Sequence, residues 1–314
     1  MDRTSDCASF PSFFEPLLAD HYSAQDVERI LQGSSVSRKV SLRANTLTSN
    51  ATEIARSLED AGIAHNPVSW YADAFVIEDA TVRDIWALEA YDQGKLYLQS
   101  LSSMLPPLVL GAGPGLDILD MCAAPGGKTS QLAALGGPGT HITACEMSAP
   151  RAEKLEHNLR KLGAGNVLVM RQDARRLDEF FRFDRILVDA PCSGSGTLRA
   201  GNPKMFKRFT PTLVEKCRRQ QAALLEKALS LLKPGGTLVY STCSVLPQEN
   251  EQQVKAALKR VRKRGSYEVS PIVLPEAASA ADAPPLLPNS LPGTLTICPT
   301  DLFEGFFMAR IVRT

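Results

Sequence analysis

The sequence predicts an α/β fold built on a mainly parallel sheet, with a smaller α/β unit in front of it. From about residue 96 onward, short apolar runs alternate with helical patterns, which is typical of β-α-β units. Polar residues directly follow these runs, as they do where open sheets bind ligands. The pattern before residue 96 is different, so we predict two domains, at residues 1–95 and 96–314.

Five apolar runs in the larger domain predict strands, and a sixth predicts a closing strand near the C-terminus. They lie at residues 116–121, 141–145, 167–170, 185–189, 237–241 and 304–312. Three helical patterns lie between them, at residues 128–135, 151–162 and 212–232. Residues 275–293 are rich in proline and alanine, so we expect a mobile surface loop there.

The first 95 residues predict two helices and three short strands. Apolar side chains recur with helical spacing over residues 13–31. Ser49 is predicted to cap a second helix, which ends before Gly62. Strand-like patterns occupy residues 41–45, 68–71 and 74–77.

Composition excludes several protein classes. With 314 residues, 44% of them hydrophobic and 22% charged, the chain can bury a large core, which excludes a disordered or fibrous protein. No apolar run is long enough to span a membrane and no targeting segment is evident, so we expect a cytoplasmic protein without membrane contact. The net charge of +1 argues against a nucleic-acid partner, although an average says nothing about how charges are distributed.

Cysteine and histidine usage indicates a reducing compartment and no bound metal. The seven cysteines are widely spaced and include no C-x-x-C pair, which argues against disulfides and against a zinc ribbon. The four histidines do not cluster in the sequence. We therefore expect free thiols and no metal site, and we also expect a monomer.

A glycine-rich turn follows the first strand of the larger domain and leads into a helix. Its small residues let a ligand approach the backbone, and the helix N-terminus favours negative charge. The phosphate loop of an NTPase is one alternative, because Gly127, Lys128 and Thr129 match its end. It is disfavoured because Cys122 stands at its first glycine position and Pro125 lacks an N–H group.

The other interpretation of this turn is a site for a nucleoside cofactor. Glu146 ends the second strand, where a carboxylate can accept hydrogen bonds from ribose hydroxyls. Asp173 follows the third strand and could contact an adenine edge, and Asp189 ends the fourth strand. A single acid after a strand is more often a helix cap, but three acids at successive strand ends favour the cofactor site.

Two cysteines differ from the others in their surroundings. Cys192, in the segment DAPCSG, and Cys243, in the segment STCS, each lie in a turn of small residues after a strand. A thiolate there would be a strong nucleophile, with Lys128 as a source of the positive charge that lowers a thiol pKa. The residues alone do not rank the two thiols. Cys145 and Cys217 are expected to be ordinary buried side chains.

Together these motifs resemble the signatures of the Sun/Fmu-type RNA cytosine-5 methyltransferases. The similar segments are DMCAAPGGKT (120–129), DAPCSG (189–194), STCS (241–244), SLRANT (41–46), YLQSLSSML (97–105), PQENE (247–251) and GFFMAR (305–310). They extend over most of the chain from about residue 10, and the pair DAPCSG and STCS is the most specific. The resemblance implies a Rossmann-like class I methyltransferase fold with a small N-terminal RNA-binding domain.

The resemblance also implies a reaction and a role for each site residue. S-adenosylmethionine would donate a methyl group to carbon 5 of a cytosine in RNA, with Cys243 as the nucleophile and Cys192 assisting product release. Asp189 would hold and activate the cytosine ring, and Lys128 would complete the catalytic set. The cofactor site would comprise Cys122, Ala123, Ala124, Pro125, Gly126, Gly127, Lys128, Glu146, Asp173 and Asp189.

The chemistry of this reaction explains why such groups are needed. Carbon 5 of cytosine is a poor nucleophile, and addition of a thiolate at carbon 6 makes it enamine-like. A carboxyl group at ring nitrogen 3 stabilises the developing charge, and a base then removes the carbon 5 proton so that the thiol is eliminated. The target base also has to leave its stack, so a single-stranded loop is the favoured substrate.

Two clusters of basic residues bear on RNA binding. One spans residues 199–219, directly after DAPCSG, and the other spans residues 255–264, which we interpret as a solvated helix face. In the first cluster we predict phosphate contacts through Arg199, Lys204, Lys207 and Arg208. Arg43 and Asn45 within SLRANT are further predicted RNA contacts.

The identity of the RNA substrate stays open at this level. The chain resembles neither the NusB-like domain nor the extra C-terminal RNA-binding domain of some family members, which leaves the choice of RNA open. Ribosomal RNA is the first expectation, as for a compact bacterial-looking chain, and tRNA is the second. A different class of function is an RNA-binding ribosome assembly factor whose catalysis is dispensable. The presence of Lys128, Asp189, Cys192 and Cys243 argues against it.

Overall fold

The computed structural model of the protein describes residues 10–263, 265–274 and 282–314. The helices are α1 (Phe14–Ala19), α2 (Ala24–Ser35), α3 (Ala51–Asp60), α4 (Val82–Trp86), α5 (Glu89–Asp92), α6 (Leu101–Leu110), α7 (Gly127–Gly136), α8 (Ala149–Lys161), α9 (Pro203–Arg208), α10 (Pro211–Leu231) and α11 (Glu251–Val261). The strands are β1 (Val40–Ala44), β2 (His65–Pro67), β3 (Ala74–Ile77), β4 (Leu96–Leu98), β5 (Asp117–Asp120), β6 (His141–Cys145), β7 (Val167–Met170), β8 (Phe183–Asp189), β9 (Leu232–Thr242), β10 (Tyr267–Ser270), β11 (Leu286–Leu287), β12 (Leu295–Ile297) and β13 (Phe306–Arg313).

The larger sheet has the mainly parallel core that the sequence predicts. Its order is β11-β12-β13-β9-β8-β5-β6-β7, with β10 pairing beside β13. Five neighbouring strands run parallel, namely β7, β6, β5, β8 and β9. Strand β13 pairs antiparallel with β9. The direction in which the chain adds strands reverses at β5, so a crevice opens at the carboxyl ends of β5 and β8.

Both faces of the larger sheet are covered by helices. On one face, Leu225 and Leu229 of α10 are fully buried in a cluster with Ile186 and Leu238 of the sheet. The cluster on the other face joins apolar side chains of α6, α7 and α8 to those of β5, β8 and β9. Burial on both faces explains why these strands are continuous apolar runs in the sequence.

The smaller sheet is antiparallel throughout, in the order β2-β3-β1-β4. Its strand β4 begins at residue 96, immediately after the predicted domain boundary, and pairs with β1. The boundary between residues 95 and 96 stays a prediction. Residues 275–281 of the predicted loop lie outside the described residues, and the described remainder of that loop includes β11.

The N-terminal helix prediction is wrong in one respect. The helical pattern over residues 13–31 corresponds to two helices, α1 and α2, separated by a turn. Ser23 is extended there, and its side chain accepts a hydrogen bond from the N–H of Asp26 at 3.2 Å, so it caps α2. A cap of this kind interrupts a helix without disturbing the apolar pattern on either side.

Two further local predictions are corrected. The segment 68–71 is a turn in which the N–H of Tyr71 donates to the carbonyl of Val68 at 3.1 Å, and the strand β2 precedes it. Helix α3 is capped by Asn50 rather than Ser49, since the Asn50 side chain accepts from the N–H of Glu53 at 2.9 Å. Ser49 and Asn50 are both suitable cap residues, and only their backbone angles decide which of them caps the helix.

In the described part of the chain, no helix is long and apolar enough to cross a membrane. Within residues 10–263, 265–274 and 282–314, no group of three or more His, Cys, Asp or Glu side chains could hold a metal ion.

Candidate active site

The two cysteines singled out in the sequence meet at the carboxyl edge of the parallel sheet. Strands β8 and β9 are neighbours in parallel register, with Asp189 opposite Ser241. The chain continues from these strands into two short turns, which place the Sγ atoms of Cys192 and Cys243 2.9 Å apart. Both thiols are partly exposed, whereas Cys145 and Cys217 are buried as predicted.

Lys128 and Asp189 form an ion pair beside these thiols. The Lys128 Nζ donates to Asp189 Oδ2 at 2.7 Å, and the Ser241 hydroxyl donates to Asp189 Oδ1 at 2.8 Å. Burial alone would lower the pKa of Lys128, but the Asp189 carboxylate outweighs it, so this pKa lies above its ordinary value. Lys128 therefore stays an ammonium group near neutral pH.

Two cavities meet at this group of side chains. The first, about 250 Å³, extends over the carboxyl ends of β6 and β7, and its lining includes Glu146, Asp173 and Cys192. The second, about 320 Å³, lies towards the smaller sheet, and its lining includes Tyr97 and Lys128. The residues that line both are Cys122, Ala124, Asp189, Ala190 and Cys243.

The glycine-rich turn forms the wall between the two cavities. Gly126 has a left-handed φ of +108° and caps the N-terminus of α7. A Cβ atom at Gly127 would lie 2.8 Å from the Tyr97 ring, so only glycine lets β4 approach the helix this closely. Lys128 is the next residue, in the first turn of α7, and from there its side chain forms the ion pair with Asp189.

Glu146 lies in the first cavity, where the sequence predicts a ribose contact. Its side chain is 4% exposed, and Oε1 accepts from the N–H of Ser148 at 2.8 Å. Arg151 approaches Oε2 at 3.3 Å and donates to the carbonyl of Ala124 at 3.0 Å. Sequence reasoning missed Arg151, which links the acid to the glycine-rich turn across two elements.

Asp173 also lines the first cavity, but its carboxylate is already paired. Both of its oxygens accept from the guanidinium of Arg175, the shortest contact being 2.6 Å, and Oδ1 accepts from the Arg175 N–H at 3.0 Å. The hydrogen bond from Arg175 holds the pKa of Asp173 below its ordinary value, and so Asp173 is a carboxylate. The adenine contact predicted for it stays a prediction.

A second missed residue, Glu249, connects the two cysteine turns. Glu249 is fully buried and accepts from the N–H of Ser193 at 2.8 Å, from the Ser193 hydroxyl at 2.5 Å and from the Ser244 hydroxyl at 2.7 Å. Ser193 directly follows Cys192, and Ser244 directly follows Cys243. One buried carboxylate therefore holds the backbone next to both thiols, which no spacing in the sequence indicates.

The environment of Cys192 favours its neutral thiol. The hydrogen bond with Cys243, burial and the nearby charges of Cys243 and Glu249 all raise the pKa of Cys192 well above its ordinary value. Burial likewise raises the pKa of Cys122 in the glycine-rich turn. Thus Cys192 is suited to donate a hydrogen bond to a thiolate at Cys243.

Asp120, at the end of β5, accepts hydrogen bonds from both ends of the glycine-rich segment. Its Oδ2 accepts from the Thr129 hydroxyl at 2.7 Å and its Oδ1 from the N–H of Cys122 at 3.3 Å. The side chain is 1% exposed, and burial raises the pKa of Asp120 to about 6. Protonation of this group therefore changes near physiological pH.

The prediction that Arg43 and Asn45 contact RNA is wrong for this structure, because both are fully buried. Arg43 Nε donates to Gln99 Oε1 at 2.9 Å, and its Nη2 donates to the Ser130 hydroxyl at 2.6 Å. Asn45 donates to the carbonyl of Leu162 at 2.8 Å. Both side chains attach the smaller sheet to helices α7 and α8 instead of reaching solvent.

The other predicted RNA contacts are accessible. Arg199, Lys204, Lys207 and Arg208 are all exposed, in the segment between the Cys192 turn and the start of α10. They stay predictions, because exposure alone does not distinguish a phosphate contact from a solvated side chain.

Comparison with known families places both parts of the chain. A family model described as "16S rRNA methyltransferase RsmB/F" matches residues 107–312. A second model, of an RsmF/B-like ferredoxin-like domain, matches residues 10–83. The two matches fall on the larger and the smaller sheet, respectively.

Individual relatives agree with these family models. Ribosomal RNA small subunit methyltransferase F of Erwinia tasmaniensis is 33% identical over 319 residues, covering 99% of this chain and 65% of that protein. The human 28S rRNA (cytosine(4447)-C(5))-methyltransferase is 35% identical over 258 residues, covering 80% of this chain and 32% of that protein. The chain therefore spans less than two thirds of the length of either relative.

A solved structure shares the whole fold. It is a methyltransferase homolog protein from Pyrococcus horikoshii, 31% identical, with a TM-score of 0.75 over 97% of this chain and 99% of that chain. The shared fold therefore includes both the smaller and the larger sheet.

Proposed function

Because the chain belongs to the 16S rRNA methyltransferase RsmB/F family, we propose that it methylates carbon 5 of a cytosine in RNA, with S-adenosylmethionine as methyl donor. One observation carries the proposal above all. Two thiols 2.9 Å apart lie where two cavities meet, beside the Lys128–Asp189 ion pair. A two-substrate reaction through a thiol needs such a junction.

The first cavity fits the methyl donor. Its polar lining includes Glu146 and Asp173, whose carboxylates suit ribose hydroxyls and an adenine amino group, and its apolar lining includes Met121 and Leu224. Cys122 and Ala124 of the glycine-rich turn line one side of it. When bound, S-adenosylmethionine supplies a methyl group from its sulfonium centre.

The second cavity then receives the target cytosine, with Cys243 as the nucleophile. Addition of the Cys243 thiolate to carbon 6 forms a carbon–sulfur bond and moves an electron pair to carbon 5, which takes the methyl group. A base removes the carbon 5 proton, and that electron pair re-forms the ring double bond as the carbon–sulfur bond breaks. The thiolate of Cys243 is thereby regenerated.

Lys128 and Asp189 orient the ring and balance its charge. Both oxygens of Asp189 already accept hydrogen bonds from the protein, one from Lys128 and one from Ser241. The ammonium group of Lys128 therefore neutralises Asp189 and supplies positive charge where the ring becomes electron-rich. Asp189 faces ring nitrogen 3 in this proposal and shares a proton with it, so that the nitrogen is protonated as negative charge develops on the ring and the carboxylate accepts from its N–H.

Cys192 assists release of the methylated base. Its thiol keeps its proton and lies 2.9 Å from the sulfur that has to leave carbon 6. A hydrogen bond to the departing thiolate stabilises it, in the way that charge-assisted hydrogen bonds generally do. Without Cys192, the covalent adduct would form and persist.

The RNA class follows the relatives. Both named relatives are rRNA methyltransferases, so rRNA is the first substrate and tRNA the second, with Arg199, Lys204, Lys207 and Arg208 as phosphate contacts. The cytoplasmic location and the monomeric state expected from the sequence stay predictions. A ribosome assembly role without catalysis is the alternative, and rescue of a gene deletion by a Cys243→Ala protein would favour it.

Bisulfite sequencing of total RNA tests the proposed function. Wild-type cells and cells lacking the gene are compared, and we expect one rRNA cytosine to lose its protection in the deletion. Re-expression of the wild-type protein should restore that protection, and re-expression of Cys243→Ala should not. Identical protection of every RNA in both strains would contradict the proposal.

A further inference from the structure

A third cavity, about 320 Å³, lies between the smaller sheet and α8. Its lining includes Trp86, Tyr91, Lys154 and Lys161. Its size is at the lower end of the range of about 300–1,000 Å³ that is usual for ligand sites. Nothing in the proposed reaction uses these four side chains.

This cavity adjoins the second one, which receives the target cytosine. Tyr97, Leu98 and Pro125 line both of them. Tyr97 also packs against Gly127, one residue before Lys128. A strand of RNA with its target base beside Cys243 would therefore have a neighbouring nucleotide within reach of the third cavity.

The exposure of Trp86 has no explanation in the packing of the protein. Its side chain is 50% exposed, whereas the only other tryptophan, Trp70, is 6% exposed. An exposed aromatic ring at the mouth of a cavity is a platform on which a nucleic-acid base can stack. Trp86 ends α4, and the carboxyl end of that short helix is tied to the smaller sheet through the buried Ile85.

Two lysines supply the charge that a phosphate requires. Lys154 is exposed, and no ion pair of it is found within the described residues. The Lys161 Nζ lies 3.8 Å above the Tyr91 ring and 3.9 Å from an oxygen of Asp92, whose side chain is 78% exposed. A pair that is this long and this exposed contributes little, so Lys161 remains available to an anion.

We propose that this third cavity binds the nucleotide next to the target cytosine, with its base stacked on Trp86 and its phosphate near Lys154 and Lys161. The inference rests on the proposed function and assigns a subsite within it. Combined stacking and phosphate contacts are typical of single-stranded RNA, which a flipped target base requires on its flank. A protein partner would not need continuity with the cytosine cavity.

Intrinsic fluorescence tests this directly, because Trp86 is the single exposed tryptophan. The probe is an 11-nucleotide single-stranded RNA with one central cytosine, compared with versions that carry an abasic site on its 5′ or 3′ side. We expect the intact RNA to quench the emission, and one of the two abasic RNAs to lose that quenching. Equal quenching by all three RNAs would overturn the proposal.

Variants separate stacking from a general effect on folding. Trp86→Ala should raise the Kd for the intact RNA about 5- to 100-fold, the range expected for one lost base stack. Trp86→Phe should keep the affinity within about 3-fold, since another aromatic ring can stack. Phe180→Ala is the matched control, because Phe180 is 95% exposed and lines none of the three cavities. An unchanged Kd for Trp86→Ala would overturn the subsite.

The failure of this inference is distinguishable from failure of the proposed function. Cys243→Ala should abolish methylation and leave the fluorescence quenching intact. If wild-type protein methylates RNA and Trp86→Ala does so with an unchanged KM, the subsite is wrong and the function stands. If RNA quenches Trp86 but no RNA is methylated, the proposed reaction is wrong.

Discussion

The difference between a reactive and an ordinary cysteine here lies in the immediate neighbours of each thiol. Cys243 and Cys192 face each other beside a lysine and are partly exposed, whereas Cys298 is buried in an apolar cluster that contains neither of them. Nucleophilic catalysis needs exposure and nearby charge. In the proposed reaction both thiols take part, and we expect the loss of each one to have a different effect.

Replacing each thiol separately should show this difference. We expect Cys243→Ala to abolish methyl transfer, because no adduct can form, and Cys192→Ala to accumulate a covalent protein–RNA adduct. Both are measured with radiolabelled methyl donor and a denaturing gel. Cys298→Ala is the control and should retain turnover. Full activity of Cys243→Ala on its substrate RNA would contradict the assignment.

Glu249 should act on the reaction only through the two cysteines. In Glu249→Gln one carboxylate oxygen is replaced by an NH2 group, which cannot accept from the hydroxyls of Ser193 and Ser244, so the cysteine turns shift. We expect kcat to fall roughly 10- to 100-fold with little change in KM for the methyl donor, since small misplacements of reacting groups are costly. Steady-state kinetics with each substrate varied in turn checks the split.

A pH profile distinguishes this positioning role from a general loss of structure. The charge of Glu249 raises the pKa of Cys192, so in Glu249→Gln the alkylation of Cys192 should rise at lower pH than in the wild type. Glu251→Gln is the matched control, because Glu251 is buried nearby but accepts from Ser290 instead. Identical alkylation profiles in the wild type and Glu249→Gln would refute the role.

At the scale of elements, the turn from β5 into α7 is held by one buried carboxyl group. Asp120 accepts from Thr129 inside the helix and from the backbone of Cys122 in the turn. From the sequence this segment is predicted to be a ligand-binding loop. In the structure, the hydrogen bonds of Asp120 connect the end of β5 to the start of α7. Burial of the same carboxyl group makes the stability of the protein depend on pH.

The sign of that dependence follows from the pKa of Asp120. Burial raises it from 3.8 to about 6, so the stabilising contribution is complete below the unfolded value and is lost as pH rises through the folded value. Relative to Asp120→Asn, the wild type should lose about 1–1.5 kcal/mol of unfolding free energy between pH 5 and pH 7. Urea denaturation at both pH values measures it.

An exposed carboxyl group provides the comparison for Asp120. Asp60, at the end of α3, is exposed, and Asp60→Asn should leave the pH dependence as in the wild type. Parallel pH profiles for Asp120→Asn and the wild type would show that burial of Asp120 does not control this stability. We expect the unfolding free energies of the wild type and Asp120→Asn to change differently with pH between the unfolded and folded pKa values of Asp120. Above about pH 7 the two should change in parallel.

At the scale of the whole molecule, Arg43 joins the two sheets. It stands on β1, and its guanidinium donates to Gln99, to Ser130 and to the carbonyl of Gly127, next to Lys128. This arrangement couples the smaller domain to the glycine-rich turn, so the two should not unfold independently. Arg43 was predicted to bind RNA because it lies in a family-like motif, but motifs mark structural contacts as well.

Substitution of Arg43 tests this structural role. Arg43→Met fills similar space but leaves Gln99 Oε1 and the Ser130 hydroxyl oxygen, both in buried residues, without the donor they have here, so we expect a loss of about 2–4 kcal/mol of unfolding free energy. RNA affinity of the protein that remains folded should be unchanged, as measured by fluorescence anisotropy. Wild-type stability together with weakened RNA binding would restore the original interpretation. Arg199→Met provides the comparison at an exposed position.

The distribution of charge across the molecule resolves the argument from net charge. The total of +1 conceals exposed basic side chains next to the Cys192 turn, whereas acids such as Glu146, Asp173 and Asp189 are engaged within the first cavity. An average over 314 residues is therefore a poor guide to a nucleic-acid partner. Local charge beside a cavity is the informative quantity.

Features of the local sequence explain which parts of the fold were predictable. The parallel strands were predictable because burial on both faces produces continuous apolar runs, and the cysteine and acid positions were predictable because parallel strands end on one edge. Helix boundaries at Ser23 and Asn50 were misplaced, since a cap depends on the backbone angles of one residue. Glu249 and Arg151 were missed, because each acts through partners distant in the sequence.

By itself, the sequence determined the α/β class, the order of the strands along the chain, the motif turns and the family that they resemble. Only the tertiary structure decided that Arg43 and Asn45 are buried, that Cys192 lies 2.9 Å from Cys243, and that Glu249 holds both turns. The physical reason is the separation in sequence of the residues that interact. Periodicity and turns depend on neighbours in the chain, whereas burial and hydrogen-bond partners depend on residues that meet only after folding.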